Sequence, residues 1–214
     1  MREGAGVSDS PRQRSGVDDA VLRVTIELLS TMSFARLSME LVAKRAGVGK
    51  PTVYRRWPSK AALVADAVAR FAPTPHFDPE GDAAESARRG LVSFACAMVE
   101  SGIAHVLYSL LGEAMSDADL AETLRARYFR PRQQVIEAAL RRCVAAGALP
   151  PDLDLSSAIS LLLGPLLHGW IVRGTRLDER QMTELVTLGW AALATAAEVG
   201  DAVGTDISGG QSSR

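Results

Sequence analysis

Three observations predict an all-α protein in two parts, a small N-terminal domain of short helices and a larger helical one behind it. Apolar residues recur at helical spacing nearly throughout the 214 residues, with no convincing alternating strand. The stretch PTPHFDPEG, from Pro73 to Gly81, holds three prolines and a glycine and cannot continue as helix, so the chain divides there. Charge divides at the same place. Residues 1–72 carry 12 Lys/Arg against 7 Asp/Glu, a net of +5, whereas residues 73–214 carry 12 against 18, a net of −6. A basic first third on an acidic remainder suggests a first module that faces a polyanion.

The elements follow in order. Residues 1–14 read as a flexible arm whose Arg2, Arg12 and Arg14 either enter a minor groove or form a soluble tail. The first helix is expected after Ser15, which has capping-box spacing to Asp18, with Val21, Leu22, Ile26, Leu28 and Leu29 inward. Ser38 suits the N-cap of a short second helix carrying Leu41, Val42 and Ala46 and ending at Gly47. A third, of about two turns, runs from Gly49 to Trp57 before Pro58, and Ser59 caps a fourth carrying Leu63, Val64, Ala67, Val68 and Phe71. Beyond the proline-rich stretch, helices are expected at 82–101, 103–115, 117–146, 154–173 and 178–198. Pro131 should kink or split the third of these, and Gly164-Pro165 the fourth. The Gly/Ser-rich residues 199–214 read as a disordered tail.

The third helix is the informative one. At 100° per residue, Val53 and Trp57 lie about 40° apart and form its buried side. Arg55 stands opposite them, with Pro51 and Thr52 beside it, Tyr54 and Lys50 on one flank and Arg56 on the other. Guanidinium, hydroxyl and methyl groups presented outward are those that read base edges in a major groove. Pro51 loses no hydrogen bond in the first turn, and the free amides there can face a phosphate. A helix, a glycine turn and a second helix that reads make the helix-turn-helix plan.

SMELVAKRAGVGKPTVYRRWPSKAAL resembles the DNA-binding signature of the TetR family of bacterial transcriptional repressors. The matching positions are Ser38, Val42-Ala43, Ala46-Gly47-Val48, Gly49, Thr52-Val53-Tyr54, Trp57 and Lys60. The resemblance spans about residues 15–72. The remainder is similar in length and helix count, and the segments RYFRPRQQ and LLLGPLLHG resemble one C-terminal subclass. By position it implies that Lys50, Thr52 and Arg55 approach bases while Tyr54, Arg56 and Lys60 hold phosphates. Gly49 departs from the family's usual Ser, which weakens the helix start by a few tenths of a kcal/mol, roughly. It also implies a homodimer on a palindromic operator, released by a small-molecule effector.

Residues 73–198 form the second expected domain, for effector binding and dimerisation. Phe94, Met98, His105, Tyr108, Leu111, Met115, Tyr128, His168 and Trp170 mix apolar walls with polar tips. A cavity lined in this way suits a hydrophobic effector, although a filled core explains the same residues. Two apolar stripes, one with Leu161, Leu162 and Pro165, the other with Met182, Leu185, Val186, Gly189 and Leu193, are candidates for a four-helix dimer bundle or for internal core.

Catalytic and metal chemistry finds no support. A phosphate loop through Gly49-Lys50 fails because Lys44 and Pro51 occupy its required Gly and Ser/Thr positions. There is no GxSxG, HExxH or CxxC, and His76, His105 and His168 lack ligand spacing. No cofactor is expected. Cys96 and Cys143 lie in apolar helical patterns and read as reduced thiols; with no secretory leader and no run of about 20 apolar residues, the expectation is a cytoplasmic protein with no membrane contact. An activator of the same fold, or a helical binding protein or enzyme with an incidental basic N-terminus, are the alternatives.

Overall fold

The computed structural model describes residues 11–171 and 177–195, leaving aside the side chains of residues 11–15, Leu167, Trp170 and Ile171. Among these residues every regular element is helical. α1 spans Pro11–Leu29. It is already helical at Pro11, ahead of the expected start after Ser15. Ser15 therefore lies inside the helix and not at its start.

A 3-10 turn, Phe34–Arg36, leads into α2 (Met39–Arg45), α3 (Lys50–Arg56) and α4 (Lys60–Phe71). The Ser38 hydroxyl accepts from the Leu41 amide at 3.2 Å, and that of Ser59 from the Ala62 amide at 3.1 Å. Each such cap stabilises its helix by about 1 kcal/mol.

After the irregular proline-rich stretch come α5 (Ala83–Glu100), α6 (Ile103–Ala114) and α7 (Ala118–Leu124). Asp82 caps α5 and Asp117 caps α7. A π-helical turn, Arg125–Phe129, then runs into α8 (Arg130–Ala145). This turn is the interruption expected at Pro131. The proline offers no N–H to the Arg127 carbonyl and its ring crowds that oxygen, which a wider turn relieves. α9 (Leu155–Ile171) continues through Gly164-Pro165 as one helix, so of the expected kink or split the split does not occur, and α10 (Glu179–Ala194) begins at an Asp178/Gln181 capping box. The arm before residue 11 and the tail from 199 lie outside the described residues.

The helices form two compact units. One contains α1–α4, α6, α7 and the π turn; the other contains α5, α8, α9 and α10. In the first, α1 packs on α4, α2 on α3, and α4 on α7. Val21, Val42, Val53, Leu63 and Val64 are all fully buried there. In the second, α10 packs on α5 and α9, around Leu91, Ile136, Leu140, Leu162, Val186 and Trp190. The expected boundary at residue 73 follows the chain, whereas these units take α6 and α7 together with the first four helices.

Candidate nucleic-acid interface

The reading element is built locally. α2 ends in Gly47, whose φ of +68° a side chain would strain, and the Val48 amide closes the turn on the Ala43 carbonyl at 3.0 Å. Gly49 caps α3 without a side-chain bond, and Pro51 sits in its first turn. Val53 and Trp57 are buried, at 0% and 4% exposure, and fix which face of α3 turns inward. Facing out are Lys50, Pro51, Tyr54 and Arg55, with Thr52 half-buried.

Arg55 and Lys50 make no hydrogen bond or ion pair among the described residues. The other basic and aromatic positions of the expected set are engaged within the fold. The Tyr54 hydroxyl donates to Glu40 Oε1 at 2.8 Å. That bond lowers the Glu40 carboxyl below its ordinary range and raises the Tyr54 phenol. Arg56 pairs with Asp18 of α1 through Nε, its side chain only 14% exposed. Lys60 donates from Nζ to the Phe34 carbonyl at 2.8 Å, and its ammonium lies 4.1 Å from the centre of the Phe34 ring. Ser38 caps α2. Exposed cations also stand at Lys44 and Arg45, at the end of α2, which the helical-wheel argument did not include.

Two acidic residues, Glu113 far along the chain and Asp66 on the neighbouring α4, complete the scaffold. Both Glu113 carboxylate oxygens of α6 accept backbone amides of the 3-10 turn, from Phe34 at 2.8 Å and Ala35 at 2.9 Å. Asp66 Oδ2 accepts the Trp57 indole Nε1–H at 3.0 Å and an Arg127 guanidinium N–H at 2.9 Å. Neither residue carries a local sequence signal.

The effector candidates are scattered. Phe94 and Met98 are half-buried on α5, and Tyr108 and Leu111 are half-buried on α6 in the other unit. Tyr128 is buried in the π turn, edge-on to Phe129 with ring centroids 4.8 Å apart. Burial, then the neighbouring Tyr128, pushes the Tyr108 phenol up to about 12. Three expectations are corrected. Met115, just past the end of α6, is 90% exposed, and His105 and His168 are exposed too, each on the solvent side of a helix whose composition is apolar overall. The side chain of Trp170 is outside the described residues.

Five residues of the dimer stripes fall to the alternative, internal core. Leu162, Met182, Val186, Gly189 and Leu193 are buried within their own chain. A Cβ on Gly189 would stand 3.2 Å from Leu162 Cδ2, so the close approach it permits is between α9 and α10 of one protomer. Pro165 and Leu185 are half-buried. Outward-facing instead are Leu161, at 42% exposure, and Leu188, at 62%, the latter outside the expected set. Helical periodicity shows that a face is covered; it does not show by what.

Among the described residues no three metal-ligating side chains cluster. No single described helix is long and apolar enough to cross a membrane.

Comparison with known proteins places these features. Residues 21–67 match the family described as bacterial regulatory proteins, tetR family, and residues 77–188 match a tetracyclin repressor-like C-terminal domain. A helix-turn-helix-type transcriptional regulator of Mycobacterium tuberculosis, Rv1556, is 30% identical over 179 residues, 82% of this chain and 81% of its own. YdeS of Bacillus subtilis, likewise a helix-turn-helix-type regulator, is 27% identical over 175 residues, 80% of this chain and 86% of its own. The crystal structure of the TetR family transcription regulator SCO0332 superposes with a TM-score of 0.65 at 32% identity, covering 82% of this chain and 97% of that one.

Proposed function

The chain belongs to the TetR family of bacterial transcriptional regulators, DNA-binding proteins and not enzymes, and from that membership we propose that it acts as an effector-released repressor. Two copies bind a palindromic operator, each laying α3 in the major groove, with the reading helices about 34–36 Å apart. The observation that carries this reading is the state of α3. Its inner face is pinned by Val53 and Trp57, and Arg55 and Lys50 stand outward with no hydrogen bond or ion pair among the described residues. Lys50, Pro51, Thr52 and Arg55 contact bases, and Tyr54, Lys44 and Arg45 lie against phosphates.

The effector is hydrophobic with few polar groups, taken near Tyr108, Leu111 and Tyr128 on α6 and the π turn, which belong to the reading unit itself. Its binding favours a state in which the half-site spacing no longer fits. DNA affinity then falls by the effector's differential affinity for the two states. Residues 73–198 carry effector binding and dimerisation.

Selection of bound sequences from random duplex DNA tests this reading. Recovery of an inverted repeat with one arm per protomer is the expected result; unstructured or single-arm sequences would remove the palindrome and the dimer together.

A further inference from the structure

α3 is only seven residues long, and its orientation is fixed from outside it. Its last turn closes when the Trp57 amide donates to the Val53 carbonyl at 2.9 Å. The indole of Trp57 is buried, so its Nε1–H needs an acceptor, and Asp66 Oδ2 of α4 supplies it at 3.0 Å. The same oxygen receives the Arg127 guanidinium at 2.9 Å, from 61 residues further along and from inside the π turn. One carboxylate oxygen therefore joins the end of the reading helix to an irregular turn of a kind frequent at functional sites.

We infer that Asp66 is a positioning residue for sequence-specific DNA binding, holding Trp57 at the end of α3 and itself held by Arg127. This rests on the reading of α3 as the base-contacting helix. Without the Asp66 oxygen the buried indole N–H loses its acceptor, and the ring turns to find another. Trp57 is one of the two anchors of α3, so its rotation re-aims Arg55 and Lys50. Arg127 restrains the carboxylate and links the geometry of α3 to that of the π turn, where Tyr128 is the next residue.

Electrostatics alone predicts the opposite effect, which makes the test decisive. Removing Asp66 deletes a negative charge from a DNA-binding unit and by Coulomb attraction should tighten binding to any duplex. If Asp66 positions α3, Asp66→Ala instead weakens binding to the selected operator by about tenfold, near the low end for a charge-assisted hydrogen bond, and leaves or strengthens binding to a scrambled duplex. In Asp66→Asn a side-chain carbonyl still accepts from the indole, so this variant recovers most of the specific binding. Arg127→Met gives a smaller loss than Asp66→Ala. The indole N–H resonance of Trp57, assigned by its absence in Trp57→Phe, should shift in Asp66→Ala and move less in Asp66→Asn. Alanine is favourable within a helix, and circular dichroism confirms that the variants remain folded.

An unshifted indole resonance in Asp66→Ala, or operator and scrambled duplex affected alike, overturns the inference. Arg55→Ala is measured in parallel. If it leaves operator preference intact, the reading of α3 fails whatever the indole reports.

Discussion

Arg55 projects from α3 with no intramolecular hydrogen bond or ion pair among the described residues, so its guanidinium can meet the paired acceptors of a guanine edge. Arg55→Ala is expected to cost about 1–3 kcal/mol of operator binding and to relax preference at one base pair in each half-site. Repeating the selection on the variant checks this; an unchanged motif would assign that base to another side chain. Arg56 looks available on the helical wheel and Lys60 by its position in the family signature, but Asp18 and the Phe34 carbonyl engage them. Those partners are brought near by the fold, and nothing in the local pattern signals them. Tyr108 gives a second prediction. Burial holds its phenol protonated until about pH 12, against an ordinary value of about 10. Between these values the unfolded chain has lost a proton that the folded chain keeps, so stability falls as pH rises through that window and is unaffected below it. Urea unfolding at stepped alkaline pH, compared with Tyr108→Phe, should show the slope reduced in the variant.

The helices themselves were largely legible, since their signals are short-range. Ser38 and Ser59 cap the helices they precede, the glycine turn at Gly47 falls between α2 and α3, and the Val53/Trp57 face is buried as the spacing dictates. Pro131 marked an interruption, although its form, a π turn, depends on neighbours that a proline alone does not specify. The stripes of α9 and α10 were legible as apolar faces but not as belonging to their own chain. Gly90 of α5 shows the same limit. A Cβ there would stand 2.6 Å from the His76 carbonyl oxygen and strike the Phe77 ring, so the proline-rich stretch lies directly on the helix. Backbone cannot step aside as a flexible side chain can. Gly90→Ala should therefore destabilise the protein by about 1–3 kcal/mol despite alanine's better helix propensity. Denaturant unfolding would show it; a neutral or stabilising outcome would mean that this packing is not retained in solution.

At the scale of the whole molecule, the proposed dimer needs an outward apolar surface, and Leu161 and Leu188 supply one on α9 and α10. Leu188→Glu should leave helical content intact and yield a monomer in sedimentation with lost operator binding. Gly189→Arg, one residue along, should unfold its own protomer, since Leu162 already fills that space. A Leu188→Glu variant that remains dimeric would move the joint to another surface. The internal engagement of Arg56 and Lys60 has a further consequence, for ionic strength. Each phosphate neutralised by a side chain contributes roughly 0.9 to the slope of log affinity against log salt, through release of condensed counterions. Two cations withheld per protomer make four per dimer, a slope shallower by about 3.6 than the count of basic residues suggests. Non-specific binding depends on that term most, so the hold of this regulator on random DNA, and on its operator, should fall more gradually with rising salt than its basic first third implies.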